Sequence, residues 1–153
     1  MRVYPNTNLA AHVLGYATSE ERELAGKPIA EIRGQDGIEL TFNPKLSGVQ
    51  GWRVTEADRL RRELVALREQ EVEPRDGLNV VLTIDSVIQH NVETTLAEAM
   101  DKHSPISASA IVIRPRTGEI LAMATLPTYN PNCPGDAPTD ARRNRIITDS
   151  AAG

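Results

Sequence analysis

The stretch Asn79-Val80-Val81-Leu82-Thr83-Ile84-Asp85, together with the forty residues that follow it, decides the fold of this chain. Asn79 to Ile84 is β-branched and apolar on both faces, which predicts a buried strand. From Asp85 to about His103, apolar residues recur at helical spacing, which predicts a long amphipathic helix. The residues of this stripe are Val87, Ile88, Val92, Leu96, Ala99 and Met100.

Both ends of the predicted helix carry recognisable signals. Ser86, with Gln89 three residues later, is typical of a capping box, and Asp85 adds a carboxylate at the positive end of the helix. The helix is expected to stop before Ser104-Pro105, because proline cannot continue it.

Two further apolar runs, Ala108 to Arg114 and Glu119 to Thr125, follow the helix. Pro115-Arg116-Thr117-Gly118 joins them, and Gly118 is expected to take a positive φ in a tight hairpin. A three-stranded antiparallel sheet with one long helix packed on it would bury all of these apolar faces. The predicted fold class is therefore α+β, with an irregular, partly helical N-terminal half.

The rest of the chain gives weaker signals. A short helix is predicted between Asp36 and Leu46, bent by Pro44 and closed by Gly48. Glu56 to Glu71 fits either an amphipathic helix, through Leu60, Leu64 and Leu67, or a hairpin that turns at Ala57-Asp58-Arg59. Four prolines between Pro127 and Pro138 indicate a loop, and a last helix can begin at Ala141.

The composition of the chain argues against several classes of protein. The chain has 153 residues, 25% of them charged, and a net charge of −4, which argues against a nucleic-acid-binding domain. Its longest apolar run, Ile120 to Ala124, is far shorter than the ~20 residues of a membrane helix. The single cysteine, Cys133, excludes an internal disulfide, and the three histidines lie too far apart in sequence to suggest a metal site. No metal or cofactor is expected.

Six strings, in order, resemble class B penicillin-binding proteins. In the second half, Gly77 to Glu93 resembles G-x-x-(L/V)-x-L-T-I-D-x-x-(I/L)-Q-x-x-x-E, and Pro115 to Ala124 resembles P-x-T-G-E-I-L-A-M-A. Pro127 to Asn132 is similar to P-x-(F/Y)-(D/N)-P-N, and Arg142-Asn144-Arg145 is similar to R-N-R.

The first half contributes two more strings. Arg2 to Tyr16 is similar to R-x-Y-P…A-A-H-(V/L)-(I/L)-G-Y, and Gly37 to Gly51 is similar to G-(I/L)-E…L-x-G-x-x-G. In this family the counterpart of Glu56 to Glu71 is a β-hairpin. The resemblance therefore predicts extended structure for Trp52 to Thr55 and for Arg62 to Arg68.

The resemblance covers the non-catalytic pedestal, or dimerisation, domain, which in this family precedes a serine D,D-transpeptidase domain. None of the seven serines has a lysine three residues on, and S-x-N and K-(S/T)-G are also absent, so acyl transfer by this chain has no chemical basis. The family's opening R-G-x-I-x-D-R-x-G segment is missing as well. We therefore expect an excised piece: a pedestal domain over residues 1–149 and a truncated junction to the enzyme domain over residues 150–153.

The resemblance also implies partners and a location. The partners are the chain's own missing transpeptidase domain, a SEDS-type glycan polymerase, other elongation or division proteins and a possible second copy of the chain. The location is the extracytoplasmic (periplasmic) face of the cytoplasmic membrane, to which a membrane helix would anchor the parent protein, while this piece is expected to be soluble.

Nine residues are expected to have structural or interdomain roles: Arg2, Tyr4, Glu39, Asp85, Gln89, Gly118, Arg142, Asn144 and Arg145. Arg2 and Glu39 are predicted to form an ion pair, bidentate if buried. The group Arg142-Asn144-Arg145 is expected to dock under the enzyme domain and to be mobile without it.

Two other functions stay open at this point. One is a free-standing adaptor with the pedestal fold. The other is a small hydrolase that uses carboxylates, which the 21 acidic residues permit but which no spacing supports.

Overall fold

The computed structural model describes residues 2–24, 27–57 and 63–149. Its helices and strands, in chain order, are α1 (Ala11–Leu14), β1 (Ala17–Leu24), β2 (Lys27–Gly34), α2 (Gly37–Thr41), α3 (Asn43–Leu46), β3 (Trp52–Ala57), β4 (Glu63–Val72), α4 (Ser86–His103), β5 (Ala108–Ile113), β6 (Ile120–Leu126), a 3₁₀ turn (Pro134–Asp136), α5 (Thr139–Arg142) and α6 (Arg145–Thr148). Three antiparallel hairpins, β1–β2, β3–β4 and β5–β6, account for these strands. The fold is α+β, as predicted.

The chain divides into two compact units. One unit combines residues 1–42 with residues 81–153, and the other consists of residues 43–80. The first contains the long helix, two of the hairpins and all nine residues for which the sequence predicts a role.

In the first unit, α4 packs on the β5–β6 hairpin, mainly on β6. Ala122 and Ala124 of β6 are buried, at 0% and 3% exposure. The connection between the strands has Gly118 at φ +75°, as the turn chemistry predicted.

The start of α4 differs from the expected capping box. Asp85 is the N-cap, and its Oδ1 accepts hydrogen bonds from the amides of Val87 (2.9 Å) and Ile88 (3.1 Å). Gln89 lies one residue beyond the position that a capping box requires, and its side chain points elsewhere. Val87, expected in the apolar stripe, is 67% exposed.

The predicted strand from Asn79 to Ile84 is wrong. This segment is neither helix nor strand, the sheet has two strands instead of three, and Val81 is 94% exposed. The physical reason lies at the outer edge of β6, where the side chain of Gln89 bonds to the backbone of Met123. The chain beside this edge contributes only the bonds from Asp85 N to Leu121 O and from Thr83 Oγ1 to Ile120 O.

The hairpin from Ala17 to Gly34 was not predicted. Its register pairs Ala17 with Gly34 and Leu24 with Lys27. Diagonal ion pairs join the strands: Arg22 to Glu31 and Arg33 to Glu20, both at 3.5 Å.

At the base of this hairpin, α1 meets α2. Gly15 has φ +75°, and a Cβ atom there would come within 1.9 Å of the carbonyl oxygen of Asp36. Only glycine fits this close approach of two backbone segments.

The second unit contains α3 and the β3–β4 hairpin. The two strands confirm the extended structure predicted around Trp52 and through Arg68, while Arg62 and the turn at Asp58-Arg59 lie outside the described residues. An isolated bridge joins Val49 to Arg75. Next to it Gly48 has φ +65°, at the end of the helical segment that the sequence predicts it to close.

Candidate functional site

Gln89 joins three parts of the first unit. It is fully buried, at 0% exposure, on the face of α4 that meets β6. Its Oε1 accepts from Met123 N (2.8 Å), and its Nε2 donates to Met123 O (2.9 Å) and to Glu93 Oε1 (2.7 Å). Glu93 in turn accepts from Ala10 N at 2.8 Å. The amide thus replaces a third strand at Met123 and connects the sheet to the N-terminal segment.

Arg2 and Glu39 form the predicted ion pair. Nη2 of Arg2 donates to Oε2 of Glu39 at 3.0 Å, and Nε lies 2.8 Å from Oε1 in a contact too bent for a hydrogen bond. The side chain of Glu39 is 12% exposed and that of Arg2 is 36% exposed. The pair is therefore only partly buried, and only one of its two contacts is a well-formed hydrogen bond.

Tyr4 lies beside this pair. Burial, followed by the neighbouring Glu39 carboxylate, raises the pKa of Tyr4 to about 12. Its hydroxyl lies near Glu39 and the backbone of Ala17 but makes no hydrogen bond of good geometry to either. The backbone of Tyr4 is held by Asn132, whose side chain accepts from Tyr4 N (2.9 Å) and donates to Tyr4 O (2.8 Å).

His12 connects α1 to the C-terminal segment. Its Nε2 lies 2.8 Å from the carbonyl oxygen of Ala141, so this nitrogen carries the proton of the neutral ring. The ring packs edge-on against Tyr129, with centroids 5.3 Å apart, and the Tyr129 hydroxyl donates to Ala11 O at 3.1 Å. Burial lowers the pKa of His12 and raises that of Tyr129, so both side chains are neutral at pH 7.

The group Arg142-Asn144-Arg145 packs against this core. Asn144 is 8% exposed, and its Nδ2 lies 3.4 Å from the carbonyl oxygen of His12. Arg142 donates to the Tyr16 hydroxyl at 3.3 Å, and Arg145 pairs with Asp140. These contacts tie the group to the folded unit, and its mobility without the enzyme domain stays a prediction.

Buried polar atoms without a hydrogen-bond partner concentrate in two places. In the part of the chain that the structure describes there are five such side-chain atoms: Arg2 Nε, Tyr4 Oη, Arg142 Nε, Asn144 Oδ1 and Arg145 Nε. All five belong to residues for which the sequence predicts a structural or interdomain role. Since buried polar groups are normally hydrogen-bonded, their concentration here marks these two clusters as unusual.

The remaining predicted residues have local roles in the structure. Asp85 caps α4, and Gly118 forms the β5–β6 turn. The structure brings Arg2, Tyr4 and Glu39 together in one cluster, and Arg142, Asn144 and Arg145 lie along one short segment. Whether either cluster meets another domain stays a prediction.

Sequence reasoning missed two residues that organise the site, Glu93 and Asn132. Glu93 follows Gln89 by four positions, so the two lie on the same side of the helix, in the middle of an apolar stripe. That placement was the available signal for a buried polar pair. Asn132 lies in a proline-rich loop and offered no such signal.

Over residues 2–24, 27–57 and 63–149, no group of three or more His, Cys, Asp or Glu side chains could hold a metal ion. Within the same ranges, no helix combines the length and apolarity needed to span a bilayer.

Comparison with known proteins decides the family. Residues 1–82, more than half of the chain, match the model of the penicillin-binding protein dimerisation domain. The chain belongs to this family. The resemblance read from the six sequence strings is thereby confirmed.

The relatives of this dimerisation domain are peptidoglycan transpeptidases. The chain is 36% identical over 149 residues to "Probable peptidoglycan D,D-transpeptidase PenA" of Neisseria meningitidis, covering 97% of this chain and 24% of the relative. It is 32% identical over 148 residues to "Peptidoglycan D,D-transpeptidase FtsI" of Escherichia coli, covering 97% of this chain and 23% of the relative. The chain thus spans about a quarter of the length of the curated relatives it matches.

Solved structures share the fold. Penicillin Binding Protein 2X from Streptococcus thermophilus superposes with a TM-score of 0.70 at 32% identity, over 90% of this chain and 20% of that one. A peptidoglycan synthetase from Bifidobacterium adolescentis gives a TM-score of 0.68 at 25% identity, over 93% of this chain and 23% of that one. The likeness extends beyond the matched residues 1–82, because both superpositions cover nearly the whole chain.

Proposed function

We propose that this chain is the non-catalytic pedestal of a class B penicillin-binding protein that acts in peptidoglycan synthesis. Residues 1–149 form the pedestal and residues 150–153 begin the junction to a D,D-transpeptidase domain. The observation that carries the proposal is the alignment: almost the whole chain matches D,D-transpeptidases, yet it spans only about a quarter of them.

The chain positions the transpeptidase domain and contacts partner proteins, while the rest of the parent protein carries out the acyl transfer. The sequence contains no S-x-x-K, S-x-N or K-(S/T)-G, so it has no serine next to an activating lysine.

The proposed location is the extracytoplasmic face of the cytoplasmic membrane, where peptidoglycan is assembled. The proposed partners are the transpeptidase domain, a SEDS-type glycan polymerase and other elongation or division proteins, with self-association as a further possibility. We propose these partners because the resemblance to class B penicillin-binding proteins implies them.

Fluorescent penicillin tests the division of labour. The full-length gene product should be labelled on its transpeptidase serine, and the 153-residue chain should not be labelled at all. Labelling of the isolated chain would overturn the proposal that it is non-catalytic.

Deletion of residues 1–149 from the full-length gene product tests the positioning role. The shortened protein should still react with fluorescent penicillin, which shows that the enzyme domain is folded, but it should no longer support growth when the native copy is depleted. It should also lose co-purification with the SEDS-type polymerase. Normal growth on the shortened protein would refute the positioning role.

A further inference from the structure

The arginines of the segment 142–145 differ in what neutralises them. Arg143 pairs with Asp149, and Arg145 pairs with Asp140 and, at 3.7 Å, with Asp149. Arg142 has no carboxylate within 4.0 Å among the residues that the structure describes. Among the three arginines of this segment, Arg142 is the one that forms no ion pair in the described part of the chain.

Neutral groups hold the Arg142 guanidinium in place. Nη1 donates to the Tyr16 hydroxyl at 3.3 Å, and Nη2 donates to Thr139 Oγ1 at 3.2 Å. The guanidinium carbon lies 5.9 Å from the centroid of the Tyr16 ring, close enough for a cation–π contact. Nε is covered and has no acceptor. Each Nη therefore keeps a second N–H, and the side chain is already oriented.

Arg142 lines an open cleft of about 550 Å³, together with Tyr16, Gln35, Asp36 and Thr139. Of the two acids that line the cleft, Asp140 pairs with Arg145, while Asp36 accepts the backbone amide of Gly37 at 2.8 Å and keeps its charge. The guanidinium of Arg142 keeps an unused N–H on each Nη, and such groups bind the oxygens of a carboxylate. The unpaired guanidinium therefore favours a carboxylate as its ligand.

We propose that Arg142 binds the carboxylate of an aspartate or glutamate side chain that the transpeptidase domain inserts into this cleft. The inference rests on the proposed function, since it names the chemistry by which the pedestal meets that domain. Orientation by Tyr16 and Thr139 before contact reduces the ordering cost of the interaction.

The first experiment identifies what faces the cleft. A photo-crosslinking amino acid at Thr139 of the full-length gene product should join the pedestal to a peptide of the transpeptidase domain that contains Asp or Glu. Crosslinks only to other proteins, or to a transpeptidase peptide without an acidic residue, would overturn the inference.

The second experiment tests the charge. In the full-length protein, Arg142→Glu should lower the Tm, and Lys at the crosslinked acidic position should restore it. Arg142→Gln should lower the Tm in both proteins, because the contacts to Tyr16 and Thr139 are lost, but by more in the full-length protein than in the 153-residue chain. Arg143→Gln, next in sequence but with its own acid, is the matched control. If Arg142→Gln behaves like Arg143→Gln, the carboxylate contact is refuted. The proposed function has separate tests, since it fails if the pedestal-deleted protein supports growth or if fluorescent penicillin labels the isolated chain.

Discussion

Single buried side chains connect distant segments of this chain through hydrogen bonds. Gln89 contacts Met123 and Glu93, which are 34 and four positions away, and His12 contacts Ala141, 129 positions away. If either side chain is replaced by one that cannot form these hydrogen bonds, buried polar groups are left without partners. We therefore expect the largest effects of single substitutions at these two positions.

Gln89→Leu should lower the free energy of unfolding by on the order of 3 kcal/mol. Leucine keeps the volume but leaves the amide and carbonyl of Met123 without their partner, and Glu93 Oε1 loses one of its two donors while keeping the amide of Ala10. Urea denaturation measures the loss, with Asn91→Leu, an exposed position on the same helix, as the control. Equal losses for the two variants would contradict the bridging role of Gln89.

His12 should make stability depend on pH. Its pKa in the folded protein is lowered, chiefly by burial and further by Arg145, against the opposing effects of the Ala141 carbonyl, Asp36 and Glu93. The unfolded chain takes up a proton near pH 6.5 while the folded protein does not, so the stabilisation is present above that pH and is lost as the pH falls below it.

The measurement compares His12→Gln with the unsubstituted chain between pH 7.5 and pH 5.5. Glutamine can still donate to Ala141 O but does not titrate, so the stability advantage of the unsubstituted chain should shrink towards low pH. His90→Gln, on the exposed side of α4, serves as the control. An advantage that stays constant or grows on acidification would exclude the assigned role.

At the scale of elements, α4 depends on its cap and on one partner hairpin. Asp85 accepts two of the free amides of the first turn, and the helix ends at Ser104, which has φ +48°. The apolar stripe then packs on β5 and β6. The helix is thus fixed at its N-terminus by a side chain whose role can be tested separately from packing.

Asp85→Ala should cost about 1 kcal/mol of unfolding free energy, because the amides of Val87 and Ile88 lose their acceptor. Asp85→Asn, which retains a side-chain oxygen, should recover most of the loss. Urea denaturation followed by far-UV circular dichroism measures both variants. A loss of similar size in Asp85→Asn would show that the cap is not the cause.

At the scale of the whole molecule, the first unit is built from both ends of the chain. Asn132 holds Tyr4, Ala141 accepts from His12, and Asn144 lies against the carbonyl of His12. The segment 139–149 is therefore part of the folded unit and more than a tether towards another domain.

A chain that ends at Pro138 should lose about 2–4 kcal/mol of unfolding free energy, because His12 and Tyr16 lose their partners and the buried residues Ala141 and Asn144 are removed. A chain that ends at Asp149 keeps every contact named above and should match the 153-residue chain. Thermal and urea denaturation compare the two truncations. Equal stability of both would contradict this structural role and would agree with the mobility that the sequence predicts for Arg142, Asn144 and Arg145.

Local signals in the sequence determined the helix α4, the β5–β6 hairpin and the turn at Gly118. These depend on periodicity, capping and turn chemistry, which act over a few residues. The family resemblance was also read from short stretches of the sequence. The Arg2–Glu39 pair also came from the sequence, through the strings that contain the two residues. The tertiary structure alone decided that Gln89 replaces a third strand, that the charged segment 17–34 is a hairpin, and that Arg142 is left without an acid. These outcomes depend on cross-strand pairs and on contacts between residues far apart in the chain, which no local pattern encodes.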